Sequence, residues 1–373
     1  MDMRAYEVEM IRDGKVKYFF IRNMETMEIE LLPTRFLTHK TRAQESPNTV
    51  GSLARSICYY MNFCDGRQMG FTDVCQMDYE AQFNHFTDFL QWLKAGNHTK
   101  NLKKTPRNRT CNTYLKNVFG FFSFLEMAED QFGPLQVLSY GTIHVANSVG
   151  VKRRLRFRSF AGYLKEEERE VRAAEKNEIV TILEACTNCR DQLLILMASE
   201  LGFRIGELLG IDYTKDIDYE NHSVRVCFRD DNANDARAKN AEERKGRLSA
   251  DTYDFLLFYI SEYWDILRRQ NYLFINITGE TEGKPMQVAS VYDMFHRMEK
   301  KTGIKITPHM LRHYFGNERR KAGWSLELIQ LAYGHRHIQT TINYLDIVDD
   351  ELLDASQEFY EKHSSLYGIE ELL

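Results

Sequence analysis

No apolar run in this chain approaches the length of a membrane span; the longest, such as Leu193 to Ala198, fall far short. The opening residues, Met1 to Glu9, mix charge throughout and lack the apolar centre of a secretion signal, so a cytoplasmic location and no membrane partner are expected. A disulfide framework is missing as well. Seven cysteines, an odd number scattered through 373 residues, suit reduced thiols. Cys186 and Cys189 form a lone CxxC without a second pair, so structural thiols are expected there and no metal site. Solenoid-type repeats are also absent. What is present is an ordinary globular balance, 43% apolar and 28% charged, which argues against wholesale disorder. At about 150 residues per domain, the length accommodates two or three compact units.

A formal charge of −5 speaks against nucleic acid only if the charge is evenly spread, and it is not. From Leu345 to Leu373 nine acids face Lys362 alone, a net −8, which leaves residues 1–344 at +3. Within that part, Lys94, Lys100, Lys103, Lys104, Arg107, Arg109 and Lys116 form a stretch without an acid. Lys152, Arg153, Arg154, Arg156 and Arg158 place five bases in seven residues. Such stretches, interleaved with aromatics, point to phosphate contact rather than to solvated loops.

Periodicity divides the chain. Tyr6 to Met10, Val16 to Ile21 and Met27 to Leu32 are β-rich runs parted by turn residues, which predicts a small meander over 1–44. Ser46-Pro47 reads as a helix start, and Leu53, Ile57, Tyr60, Met61 and Cys64 share one helix face. Helices are expected at Tyr79 to Leu93 and Thr110 to Met127, the latter with a core-forming aromatic stripe. Residues 45–150 thus predict a helical domain, 151–165 a basic linker, 166–348 a second domain and 349–373 an acidic tail helix. In the second domain a helix running from Glu167 to Ala185, another over Leu193 to Glu200, strands near Ser223 to Arg229, and further helices from Ala250 are expected. The fold class is mainly α with a small β-sheet, α+β.

Chemistry-bearing residues concentrate in the second domain. Thr307-Pro308 supplies a capping hydroxyl and a proline at a first helical position, so His309 and Arg312 should share the opening face of a helix. Imidazole, guanidinium and helix N-terminus together suit a phosphate. Arg204 follows Gly202 and precedes an apolar helix, and Gly334-His335 stands shortly before Tyr344.

Taken in order and spacing, these residues resemble the tyrosine recombinase (phage integrase) family from about residue 45 to 350. Arg204, followed by Glu207-Leu208, matches the family's first arginine; His309 and Arg312 match its His-x-x-Arg; His335 matches the later histidine; Tyr344 matches the nucleophile. The family also carries a lysine in a β-hairpin, for which Lys239 is favoured over Lys245, the latter then being a phosphate contact or merely solvated. Asp346, where many members have histidine, and Tyr333, in place of a common leucine, are departures that touch no group the chemistry needs.

The resemblance implies a helical core-binding domain and an integrase-type catalytic domain that act on double-stranded DNA without a cofactor or a metal. It implies a 3′-phosphotyrosyl intermediate and strand exchange inside a homotetramer, with the C-terminal tail passed in trans and with room for accessory recombination proteins. The N-terminal half resembles transposase-type members of mobile elements, so integration or transposition is expected. The β-rich start is either a DNA-binding element or a strand layer on the core-binding domain. A type IB topoisomerase and a DNA-binding regulator on a recombinase fold are the competing expectations.

Overall fold

The computed structural model describes residues 5–14, 16–99, 105–146, 152–167, 172–227, 229, 232–234 and 243–342, with strand backbones alone at 139–146 and 152–158. The chain divides into two compact units, Met1–Arg169 and Glu170–Leu373. No helix among the described residues is long and apolar enough to cross a membrane.

In the first unit β1 (Tyr6–Asp13) and β2 (Val16–Asn23) form an antiparallel hairpin. Helices α1 (Leu31–Arg42), α2 (Pro47–Asp65), α3 (Phe71–Gln76), α4 (Tyr79–Lys94) and α5 (Asn108–Ala128) follow, and then the antiparallel pair β3 (Ser139–Ala146) and β4 (Lys152–Ser159). Local chemistry sets the helix starts. Ser46 accepts the N–H of Thr49 with Pro47 in the first turn, and Asp78 accepts the N–H of Ala81. The core is aromatic: Tyr60, fully buried, is ringed by Phe63, Phe71, Phe86, Phe89 and Phe122.

Two sequence expectations change here, and one open alternative narrows. The third β run does not form a strand; Ile29 makes one bridge to Arg22, and α1 begins at Leu31. Phe36 and Leu37 explain the difference, since a helix buries both against β2 and α5 while proline at position 33 has no N–H for a ladder. The described part of residues 1–44 packs as a layer on the helices, one of the two expectations for this segment, because Ile21, Phe36 and Leu37 belong to the same buried cluster as α2, α4 and α5. The basic linker expected at 151–165 is instead strand β4, and residues beyond it still pack on the first unit. Phe160 is buried against Phe86 and Phe119. Asn112 holds Leu164 by both backbone groups, at 2.8 and 3.0 Å. The alternation Arg-Leu-Arg-Phe-Arg at 154–158 carries the strand period, which charge density masks.

One buried group in this unit predicts an acid response. His85 Nε2 lies 2.9 Å from the Tyr60 hydroxyl, and burial, aided by Arg67, pushes the imidazole down from 6.5 to about 4. An unfolded chain takes up this proton first, so the contribution is intact above about pH 6.5 and is lost as pH falls toward 4. His85→Gln, which cannot take up the proton, should flatten the acid sensitivity of backbone hydrogen exchange in α2 and α4 across that window. Equal pH dependence of both proteins refutes the assignment.

The second unit contains α6 (Lys176–Ala185), α7 (Cys189–Leu201), α8 (Ile205–Leu208), and a three-stranded antiparallel sheet in the order β5 (Ile217–Asp218), β6 (Ser223–Val226), β7 (Arg244–Arg247). Helices α9 (Ala250–Glu262), α10 (Trp264–Leu267), α11 (Val288–Thr302), α12 (Pro308–Lys321), α13 (Leu326–Tyr333) and α14 (Ile338–Ile342) follow. The helix expected from Glu167 begins only at Lys176. Helix α7 is the axis. Leu193, Leu194, Ile195, Met197, Ala198 and Leu201 are buried along it, and it packs against α6, α9, α12 and β7. The apolar run at Leu193 to Ala198 therefore lies in a core helix, whose C-terminal end delivers the site.

Candidate active site

Helix α7 ends at Gly202, which adopts the left-handed conformation at φ 61°; a Cβ there would collide with the Phe315 ring. The turn buries Phe203 and brings Arg204 to the start of α8. Arg204 donates its backbone N–H to Glu207 Oε2 at 2.6 Å and Nη1 to Glu207 Oε1 at 3.0 Å. Its side chain keeps a quarter of its surface exposed.

Arg312 arrives from α12. Thr307 Oγ1 accepts the N–H of Met310 at 3.3 Å, with Pro308 in the first turn, as the sequence predicts. The Arg312 side chain is 2% exposed. Nη1 donates to the Gly202 carbonyl at 2.5 Å and Nη2 to the Tyr333 carbonyl at 2.7 Å, and the guanidinium lies 4.4 Å from the Tyr333 ring centroid. Tyr333 is fully buried and donates its hydroxyl to the Arg312 carbonyl at 2.6 Å. His309, half-buried one turn earlier on the same helix, packs its ring 4.8 Å from that of His313.

His335 follows Gly334, the left-handed cap of α13. Its Nε2 lies 3.0 Å from Arg312 Nη2 and its Nδ1 3.0 Å from Thr341 Oγ1. A guanidinium can only donate, so Nε2 accepts and the proton is assigned to Nδ1, which donates to Thr341. Burial first, then Arg312, Arg204, Arg244 and His309, push this imidazole down to about 3, so it is neutral at any working pH.

Glu207 joins these groups. Its buried carboxylate is paired with Arg204 and Arg244 and lies 4.0 Å from Arg312. Burial pushes the carboxyl up, but the guanidiniums, Arg244 foremost, hold it below the usual carboxylate range. Three guanidiniums around one carboxylate, beside a neutral histidine, leave a surplus of positive charge in a medium of low polarizability, which favours a bound anion. The sequence analysis missed Arg244. Nothing in Glu-Glu-Arg-Lys-Gly-Arg separates a buried arginine from its solvated neighbours.

The structure thus assembles Arg204, His309, Arg312 and His335, while Lys239 and Tyr344 lie outside the described residues. Lys245 is exposed on β7, and its charge acts on Asp218 of β5. Among the expected DNA contacts, Arg107 and Arg109 are exposed at the start of α5, and Lys100, Lys103 and Lys104 lie outside the described residues. The stretch that is acid-free in sequence is not so in space. Glu166 approaches Arg109 at 3.8 Å and Lys116 at 4.0 Å, and Glu167 approaches Lys94 at 3.9 Å. Lys152, Arg153, Arg154, Arg156 and Arg158 fall on β4.

This chain is similar to several known proteins. Transposase A from transposon Tn554 of Staphylococcus aureus is 28% identical over 346 residues, covering 88% of this chain and 90% of that protein. Tyrosine recombinase XerA of Saccharolobus solfataricus is 32% identical over 187 residues, 49% of this chain and 55% of the relative. Among solved structures, the Tn1549 transposon integrase in complex with transposon right end DNA superposes with a TM-score of 0.59 at 17% identity, covering 88% of this chain and 98% of that one. A lambda integrase dimer bound to a COC′ core site gives 0.58 at 14% identity, covering 84% and 93%. Residues 171–351, just under half of the chain, match the phage integrase family, and Arg204, His309, Arg312 and His335 all lie within that match.

Proposed function

We propose that this chain cuts and rejoins DNA at specific sites, with Tyr344 as nucleophile. The phenol oxygen attacks the scissile phosphorus, a P–O bond to the 5′-oxygen breaks, and the 3′-phosphate stays on the enzyme, so a 5′-hydroxyl from another strand can reverse the step. The observation that carries the reading is the cluster of Arg204, Arg312 and His335 around Glu207, a cationic seat in which two carbonyls and His335 hold Arg312 and the Glu207 carboxylate stands 4.0 Å from it. Such a seat stabilises charge on the non-bridging oxygens; loss of one preorganised donor costs about 10²–10³ in rate. His309 takes the tyrosine proton, and Lys239 protonates the leaving 5′-oxygen. His335 acts through the arginine: its neutral Nε2 accepts from Arg312 and fixes the guanidinium.

Transposition or integration is the biology, supported by the likeness to the Tn554 transposase over nearly the whole chain. The working form is a tetramer on DNA, with residues 349–373, outside the described residues, exchanged between subunits. A nicked suicide substrate that traps the covalent adduct tests the chemistry, and a two-site exchange assay separates recombination from simple nicking and closing. A chain that relaxes supercoils yet never exchanges partners would be a topoisomerase.

The basic strand β4 contributes phosphate contacts. Replacing Arg153 and Arg154 with alanine should weaken binding to all sequences alike and lower the slope of log affinity against log salt by up to about 2. A change confined to one base position would instead indicate base readout.

A further inference from the structure

The proposed chemistry has no use for Arg244, yet this residue is buried more deeply than Arg204. Its side chain is 4% exposed, against 25% for Arg204. It sits on β7, where Val226 of β6 is its partner and the next residue, Lys245, is exposed. Strand alternation therefore turns Arg244 and Gly246 inward. Both meet the end of α7. The Arg244 guanidinium stands 5.0 Å from the Phe203 ring centroid, and a Cβ on Gly246 would come within 2.8 Å of Leu201 Cδ2.

A buried guanidinium is costly unless its donors are matched. Here they are matched to groups that lead into the site. Nη2 donates to Glu207 Oε2, whose other oxygen holds Arg204 Nη1. Nε donates to the Ala332 carbonyl at 2.8 Å, one residue before Tyr333, whose carbonyl and ring hold Arg312, and three before His335. One planar fork thus ties β7 to the turns that carry Arg204 and His335, and through Tyr333 to Arg312 on α12. Lysine, a point charge without that fork, cannot make both bonds in the same geometry.

We propose that Arg244 is a positioning residue for strand cleavage: it holds Glu207 and the Ala332 carbonyl so that the Arg204 guanidinium is aimed at the scissile phosphate. This rests on the reading of Arg204 as a phosphate ligand. The effect passes through charge on the non-bridging oxygens, and that makes it separable from a general loosening of the fold. A methylphosphonate at the scissile position replaces one charged oxygen with a methyl group and needs far less guanidinium stabilisation.

The test compares wild type, Arg244→Ala and Arg244→Lys in single-turnover cleavage of a nicked suicide substrate, with either the normal phosphate or a methylphosphonate at the cleavage site. Thermal melting and DNA affinity are followed in parallel. Arg244→Lys keeps the buried charge and carries the test if the alanine variant unfolds. On phosphate at saturating DNA, Arg244→Lys should cleave about 10²-fold more slowly, the size of effect that misplacing a reacting group by an ångström produces. On methylphosphonate the gap to wild type should close to about threefold, because the aim of Arg204 no longer limits the rate. Cleavage of the phosphate at the wild-type rate overturns the proposal, and so does an equal slowing on both substrates, which is what a loosened fold would give. A wild-type chain that forms no adduct on either substrate overturns the reading of the site itself, and the positioning role with it.

Discussion

Replacing Tyr344 with phenylalanine is expected to leave DNA affinity near that of the wild type and to abolish the covalent adduct, because only the attacking oxygen is removed. The measurement is denaturing electrophoresis of protein trapped on a nicked suicide substrate. Tyr344 lies outside the described residues, but α14, which precedes it in sequence, is tied to the site through the bond between Thr341 and His335. The nearest competing phenol in sequence is Tyr333. It is fully buried, and its hydroxyl donates to the Arg312 carbonyl, so it serves as a strut for that arginine and is closed to an incoming phosphate. An adduct that persists in Tyr344→Phe would move the nucleophile elsewhere and sink the assignment.

The second large effect concerns the leaving group. Lys239→Ala should slow cleavage by about 10²–10⁴, the usual worth of a positioned general acid, and a 5′-thio leaving group, which hardly needs protonation, should restore the rate. Lys245→Ala should change cleavage only a few-fold and show no thio rescue. The structure supports the contrast, since Lys245 is exposed between the inward residues Arg244 and Gly246 and acts on Asp218 instead of on the arginine cluster. If Lys245→Ala is the variant that the thio substrate rescues, the hairpin lysine has been assigned to the wrong position.

Both outcomes rest on residues that order and spacing single out, whereas several elements of the fold were far less legible. A run of five bases at Lys152 to Arg158 reads as a basic linker until its pairing partner, Ser139 to Ala146, is known. Strand pairing depends on that preceding segment, and charge density says nothing of it. Met27 to Leu32 fails as a strand for a related reason: the β-rich composition is local, but burial of Phe36 and Leu37 against β2 and α5 decides for the helix. The acid-free look of Lys94 to Lys116 likewise ends where Glu166 and Glu167 fold back on α5.

By itself the sequence determined whatever short-range chemistry can specify. Thr307-Pro308 starts α12, Gly202 and Gly334 allow the left-handed turns before Arg204 and His335, and the apolar run at Leu193 to Ala198 forms the central helix. These depend on neighbours within a turn or two, and so a linear reading reaches them. Only the tertiary structure decided which charges are buried and what each one holds. Arg312 meets a carbonyl 110 residues away, and Arg244 meets partners 37 and 88 residues away. The proton of His335 is assigned to Nδ1 because Arg312 donates to the opposite nitrogen. A buried charge survives only where distant donors and acceptors converge on it, and that convergence is a property of the packed core.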